Sequence, residues 1–183
     1  MTASPSAVLG LRVKTGRAMA VILLGSRRSP RPGLRREIAL ADPKQPHTVH
    51  PYHLELEGRA DVAAAAAERT RQIGRRALEK LFETLDATLQ PRAVAVVVNS
   101  NTPPERIGSA HMRAHSREGW LFREICEDAA QRLGVEPATL LCDDIHLDAA
   151  ATQRALTLLA TGFGRPWTLD WKLAAAAAWQ QLA

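Results

Sequence analysis

Cysteine is scarce: only Cys126 and Cys142 occur in 183 residues. That excludes a disulfide scaffold and favours two reduced thiols in a cytoplasmic protein. No run reaches the ~18 consecutive apolar residues of a membrane span, so no membrane partner is expected. The start, MTASPSAVLG, lacks a basic segment followed by a long apolar one, and it does not read as a secretory signal. Neither a phosphate-binding P-loop nor a dinucleotide glycine motif is present. No glycine-serine-glycine elbow supports Ser109 or Ser116 as a nucleophile beside His111 or His115. Acid is short at one end. Before residue 51 the acids are Glu37 and Asp42, against the bases Arg12, Lys14, Arg17, Arg27, Arg28, Arg31, Arg35, Arg36 and Lys44. This imbalance, within a formal charge of +5, suits an anionic ligand or nucleic acid. It also suits a solvated basic surface in an arginine-rich chain.

What is present is strongly patterned. The stretch VLGLRVKTGRAMAVILL, Val8 to Leu24, reads as two strands joined by a tight turn at Lys14-Thr15-Gly16-Arg17. Leu9, Leu11 and Val13 alternate with Gly10 and Arg12. Ala18 to Leu24 is apolar throughout, as in a strand covered on both faces. Arg12 therefore stands out in a central strand. Gly25 to Gly33 reads as a polar turn, and Leu34 to Leu40 as a half-exposed edge strand.

Asp42 to Gly58 holds Pro43, Pro46 and Pro51 with His47, His50 and His53, and reads as a connection. Ala60 to Leu89 reads as a helix, with a stripe of Ile73, Ala77, Leu81 and Leu85 widened by Leu78 and Phe82, and an awkward Gly74. Ala93 to Val98 is a buried parallel strand. Helices are expected over about Arg117 to Leu133, over Leu147 to Ala160 and over Asp170 to Leu182, with a strand at Thr139 to Cys142. The last helix puts Trp171, Ala175 and Trp179 on one face.

The order β-β-β-α-β-α-β-α-α implies an α/β fold: one mixed sheet with helices on both faces, a single domain over residues 1–183. This arrangement resembles the RNase H-like fold of ribonuclease H, Holliday-junction resolvases and the actin-like ATPases. The segments Gly10 to Leu24, Pro51-Tyr52-His53 and His111 to Phe122 also resemble a group of uncharacterised bacterial proteins, which implies no activity.

The RNase H-like resemblance implies carboxylates on the first strand, near the fourth strand and on the last helix, holding two divalent metals. This chain departs from that pattern. Arg12 stands where the first acid belongs, Asn99-Ser100-Asn101 follows the fourth strand, and Lys172 lies close to the position of the last acid, near Asp170. A guanidinium ~4 Å from a metal would be opposed by several kcal/mol at an intermediate dielectric. Two readings of Arg12 follow. It is part of a basic pocket for a phosphorylated ligand or nucleic acid, with Lys14, Arg17, Asn99 and Lys172 as further ligand-binding residues. Or it pairs internally with Asp143, Asp144 or Asp170.

Histidine forms the second constellation. If SAHMRAHSREGW is helical, His111, His115 and Glu118 share a face. Two imidazoles and a carboxylate suffice for one divalent metal, with His53 as a further ligand from the connection. The bland reading is local capping and pairing at a helix start. A divergent metal-dependent nuclease or phosphodiesterase is the enzymatic expectation, with His115, Glu118 and Asp144 as catalytic candidates. Asp143-Asp144 ends a strand, where open α/β sheets bind ligands, and Asp144 or Asp148 equally suits a helix cap. A third expectation is a partner-binding domain using the Trp-bearing last helix, with association of like chains compatible with it.

Overall fold

The computed structural model describes residues 7–183; residues 1–6, part of the stretch on which the secretory-signal reading rests, lie outside it. Strands β1 (Ala7–Lys14), β2 (Arg17–Ser26) and β3 (Ser29–Ala39) form an antiparallel meander. β4 (Pro91–Val98) and β5 (Ala138–Leu141) add in parallel, giving the order β3-β2-β1-β4-β5. β1 is thus central and β3 is an edge. The first turn closes on Thr15 and Gly16, and Gly16 takes φ 77°, which a side chain would resist. The stretch expected as a long polar turn is instead ladder. β2 and β3 pair out to Ser26 and Ser29, leaving Arg27 and Arg28 as the turn. Pro30 and Pro32 are tolerated because β3 has a free edge.

Among the described residues six α-helices follow the meander: α1 (Pro46–Val49), α2 (His53–Leu56), α3 (Ala60–Glu83), α4 (Ala110–Arg132), α5 (Ala150–Phe163) and α6 (Leu169–Gln180). One sheet face, carrying Leu9, Leu11, Ile22 and Val96, packs on Leu78, Leu81, Phe122 and Ile125 of α3 and α4. The other, carrying Val8, Val21, Leu23 and Val97, packs on α5 and α6. Among the described residues no helix is long and apolar enough to cross a membrane.

Three expectations are corrected. α3 is one unbroken helix, but it ends at Glu83, not Leu89. Leu78, Leu81, Phe82 and Leu85 are buried as expected, but further back the buried line runs through Ala67, Thr70 and Gly74, with Ile73 and Ala77 only at the margin. Gly74 is the reason: a β-carbon there would lie 2.7 Å from Ile125 Cγ2, so the bare backbone lets α3 meet α4 closely. α6 is buried all round from Leu173 to Trp179. The indole of Trp179 is turned inward, donating to the Arg27 carbonyl at 2.9 Å, so it does not present an outer interface. Alanine at Ala174–Ala178 and glycine at Gly10 bring α6 hard against β1.

Candidate functional site

The open ends of the parallel strands β1 and β4 carry two clusters and the groove between them. The first centres on Arg12. Its parity in β1 sends it toward α6, and only 3 % of it is exposed. Nε donates to Asp170 Oδ1 at 3.3 Å, from the first turn of α6. One terminal nitrogen donates to the Val13 and Val97 carbonyls at 2.9 and 3.4 Å, the other to Asn99 Oδ1 at 2.6 Å. Four hydrogen bonds thus engage a group with five donors. Lys14 Nζ stands 3.7 Å from Asp170 Oδ2, so one carboxylate serves two cations. The Cys142 thiol donates weakly to Asn99 Oδ1 at 3.6 Å. Burial raises its pKa above the ordinary range, Arg12 and Lys14 work the other way, and Asp143 and Asp170 add to the rise.

The residues do not fit a paired divalent metal centre here. A fixed guanidinium fills the space between Asp170 and Asn99, and Asn99 brings an amide oxygen without charge. The other expected members scatter. Lys172 lines a separate groove between α5 and α6. Arg17 is exposed at the start of β2, across the hairpin from Lys14. Asp143 and Asp144 are exposed in a single 3-10 turn after β5, and Asp143, with His146, lines a shallow surface cleft. Neither Asp144 nor Asp148 caps α5; Ala149 precedes it without a side-chain bond.

The second cluster exists because α4 begins at Ala110, seven residues before the expected start at Arg117. Ser109 caps it, its hydroxyl accepting from the Met112 amide at 3.4 Å. The cap winds His111, His115 and Glu118 into one helical face. Opposite lies the connection, which is not irregular throughout. His50 ends α1 and His53 opens α2. Thr70 Oγ1 of α3 donates to the Thr48 carbonyl at 2.7 Å, pinning α1. The Arg117 guanidinium lies 3.8 Å from the Tyr52 ring centre and pairs with Glu55, pinning α2 to α4.

Glu118 is fully buried. Its Oε1 lies 2.8 Å from His53 Nδ1, and its Oε2 lies 3.0 Å from His50 Nδ1 and 3.5 Å from His115 Nδ1. His111 Nε2 sits 3.2 Å from His115 Nε2. Burial, then the neighbouring His53, lower the pKa of His115, while Glu118 raises it. One ligand atom from each of His50, His53, His115 and Glu118 falls within 4.8 Å of the others. His50 is the member that sequence reasoning left out of the ligand set. Its signal was the three-residue spacing to His53, hidden by the prolines around it.

Between the clusters runs a groove of about 630 Å³, lined by Lys14, Asn99, Ser100, His115, Ser116, Trp120 and Arg123 among others. Arg123 lies over the Trp120 ring at 4.7 Å and donates to Asn101 Oδ1 at 2.8 Å. His115 therefore belongs both to the histidine cluster and to the groove wall.

This architecture is the RNase H-like fold. Solved structures similar to it include "T. thermophilus RuvC in complex with Holliday junction substrate", at TM-score 0.58 and 13 % identity over 95 % of this chain and 90 % of that one. The "Thermus thermophilus RuvC structure" matches at TM-score 0.54 and 14 % identity, over 94 % and 91 %. No protein-family model matches the chain, and no curated protein matches it in sequence.

Proposed function

We propose that this chain is an RNase H-like nucleic-acid-binding domain that does not cleave by paired metals. The observation that carries the reading is the groove at the carboxyl ends of β1 and β4. It offers a lysine for phosphate, hydroxyls at Ser100 and Ser116, and the Trp120 indole with the Arg123 guanidinium stacked on it. RuvC, similar in fold, is seen with a Holliday junction, which supports nucleic acid over a smaller phosphorylated ligand. Within this reading the roles shift. Lys14, with 36 % of its side chain exposed, is the phosphate contact. Asn99 lines the groove with its side chain already held by Arg12, which lies buried behind it against α6.

Fluorescence anisotropy with labelled single-stranded, duplex and four-way-junction DNA tests this. Binding that weakens with salt, and weakens several-fold in Lys14→Ala, is expected, with no cleavage in magnesium. Absence of salt-sensitive binding to all three, or magnesium-dependent cleavage abolished by Asp170→Asn, overturns it.

A second reading, a divergent metal-dependent phosphodiesterase, is favoured by the placement of His115 on the groove wall. Turnover with manganese or zinc that disappears in His115→Ala would replace the first reading by this one.

A further inference from the structure

We propose that His50, His53, His115 and Glu118 form a mononuclear site for a divalent transition metal of the zinc type. This inference does not depend on nucleic-acid binding. The three Nδ1 atoms stand 2.8, 3.0 and 3.5 Å from the Glu118 carboxylate oxygens. Ligand atoms each ~2.0–2.1 Å from a tetrahedral zinc ion lie roughly 3.3 Å apart. Oε1 faces His53 while Oε2 faces His50 and His115, and one donor atom from each of the four side chains lies within 4.8 Å of the others, so the set already converges on one small volume. The ring centres of His53 lie 4.5 Å from His115 and 5.2 Å from His50, nearly perpendicular in each case, so the edges converge and the faces do not stack.

The donor set selects the ion. Three imidazoles with one carboxylate suit zinc, cobalt or iron, whereas magnesium and calcium take oxygen. Glu118 supplies negative charge from a fully buried position, and His50 and His115 are 46 % and 41 % exposed, which leaves solvent a way in. His111 has a different part from the one its helical spacing suggests. It touches the far nitrogen, Nε2, of His115 at 3.2 Å, so it orients that ring from behind. The other elements serve the same convergence: Thr70 holds α1, and Arg117 holds α2, from outside the shell.

The test uses untagged full-length protein incubated with zinc, freed of excess by gel filtration and analysed for metal, without nucleic acid. One zinc per chain is expected, together with a rise in melting temperature on zinc addition. Cobalt loading should give the intense visible bands of a low-coordinate ion. His53→Ala and His115→Ala should each lose more than tenfold in zinc affinity, and His50→Ala should follow them. His111→Ala should keep stoichiometric zinc at reduced affinity. Because these four sites have solvent-exposed surface, the variants keep the fold and are checked for unchanged circular dichroism, and the fully buried Glu118 is left unaltered. Wild-type protein that retains no more zinc than the His53→Ala/His115→Ala double variant overturns the proposal. Loss of zinc in His111→Ala with none in His50→Ala overturns this ligand set.

Discussion

The guanidinium of Arg12 lies 3.3 Å from the Asp170 carboxylate, tying the middle of the sheet to the first turn of the last helix across 158 residues of chain. Removing one partner strands the other. Asp170→Asn is expected to cost about 2–3 kcal/mol, below the ~3–5 kcal/mol of a fully buried pair because Asp170 is 23 % exposed. The double variant Arg12→Met/Asp170→Asn should lose less than the sum of the two single variants. Urea denaturation of the four proteins measures this coupling; strict additivity would show that the pair does not act as a unit.

Two glycines differ in how hard their surroundings resist a side chain. A β-carbon at Gly10 would fall 2.0 Å from the Ala174 carbonyl oxygen, a backbone atom that cannot move unless α6 moves. Gly10→Ala should therefore destabilise by about 3 kcal/mol or more. At Gly74 the obstacles are the Ile125 Cγ2 methyl at 2.7 Å and the Leu40 carbonyl oxygen at 3.2 Å. Moving them more than offsets the ~1 kcal/mol that alanine contributes to a helix interior, so Gly74→Ala should still destabilise, by about 1 kcal/mol and less than Gly10→Ala. Denaturation midpoints at matched slope decide both.

The two thiols should separate by reactivity. Burial pushes Cys126 far above the ordinary thiol range, and pushes Cys142 up in part. A raised thiol pKa leaves less thiolate at a given pH, and thiolate is what alkylates. Iodoacetamide at neutral pH should modify Cys142 more slowly than a free thiol, with the rate climbing as pH rises. Cys126 should react only on unfolding. Arg12→Met removes a cation that favours the Cys142 thiolate, so it should slow that site further. Peptide mass spectrometry follows each site, and fast labelling of native Cys126 would contradict the packing.

Arg117 is the outer brace of the histidine cluster. Arg117→Ala removes its stacking on Tyr52 and its pairing with Glu55. Amide exchange across residues 46–58 should accelerate, while the loss of global stability stays near 1 kcal/mol, in keeping with a partly exposed pair. Unchanged exchange there would mean that Thr48 and Thr70 alone hold the segment.

Most of the sheet was legible in the sequence because strand patterning is local. The alternation in β1, the apolar run of β2 and the turn at Gly16 each follow from neighbouring residues. The central place of Arg12 followed too, since a charged residue among buried ones is conspicuous. Its partner was not legible: Asp143, Asp144 and Asp170 were equivalent until the chain was folded. α1 and α2 were hidden because three prolines and little apolar periodicity disguise single helical turns. The start of α4 was hidden because, apart from the buried Ala114, residues 110–116 carry no apolar stripe, and only the Ser109 cap announced it. With α1 went His50, whose proximity to Glu118 depends on contacts 68 residues apart.

The Arg12 side chain also changes what this corner asks of its surroundings. A dissolved ion can be diluted, exchanged or stripped by a chelator. A guanidinium is covalently tethered to the chain it serves. Charge balance against Asp170 is therefore inherited with the polypeptide, and the junction of β1 with α6 keeps its form whatever the magnesium supply.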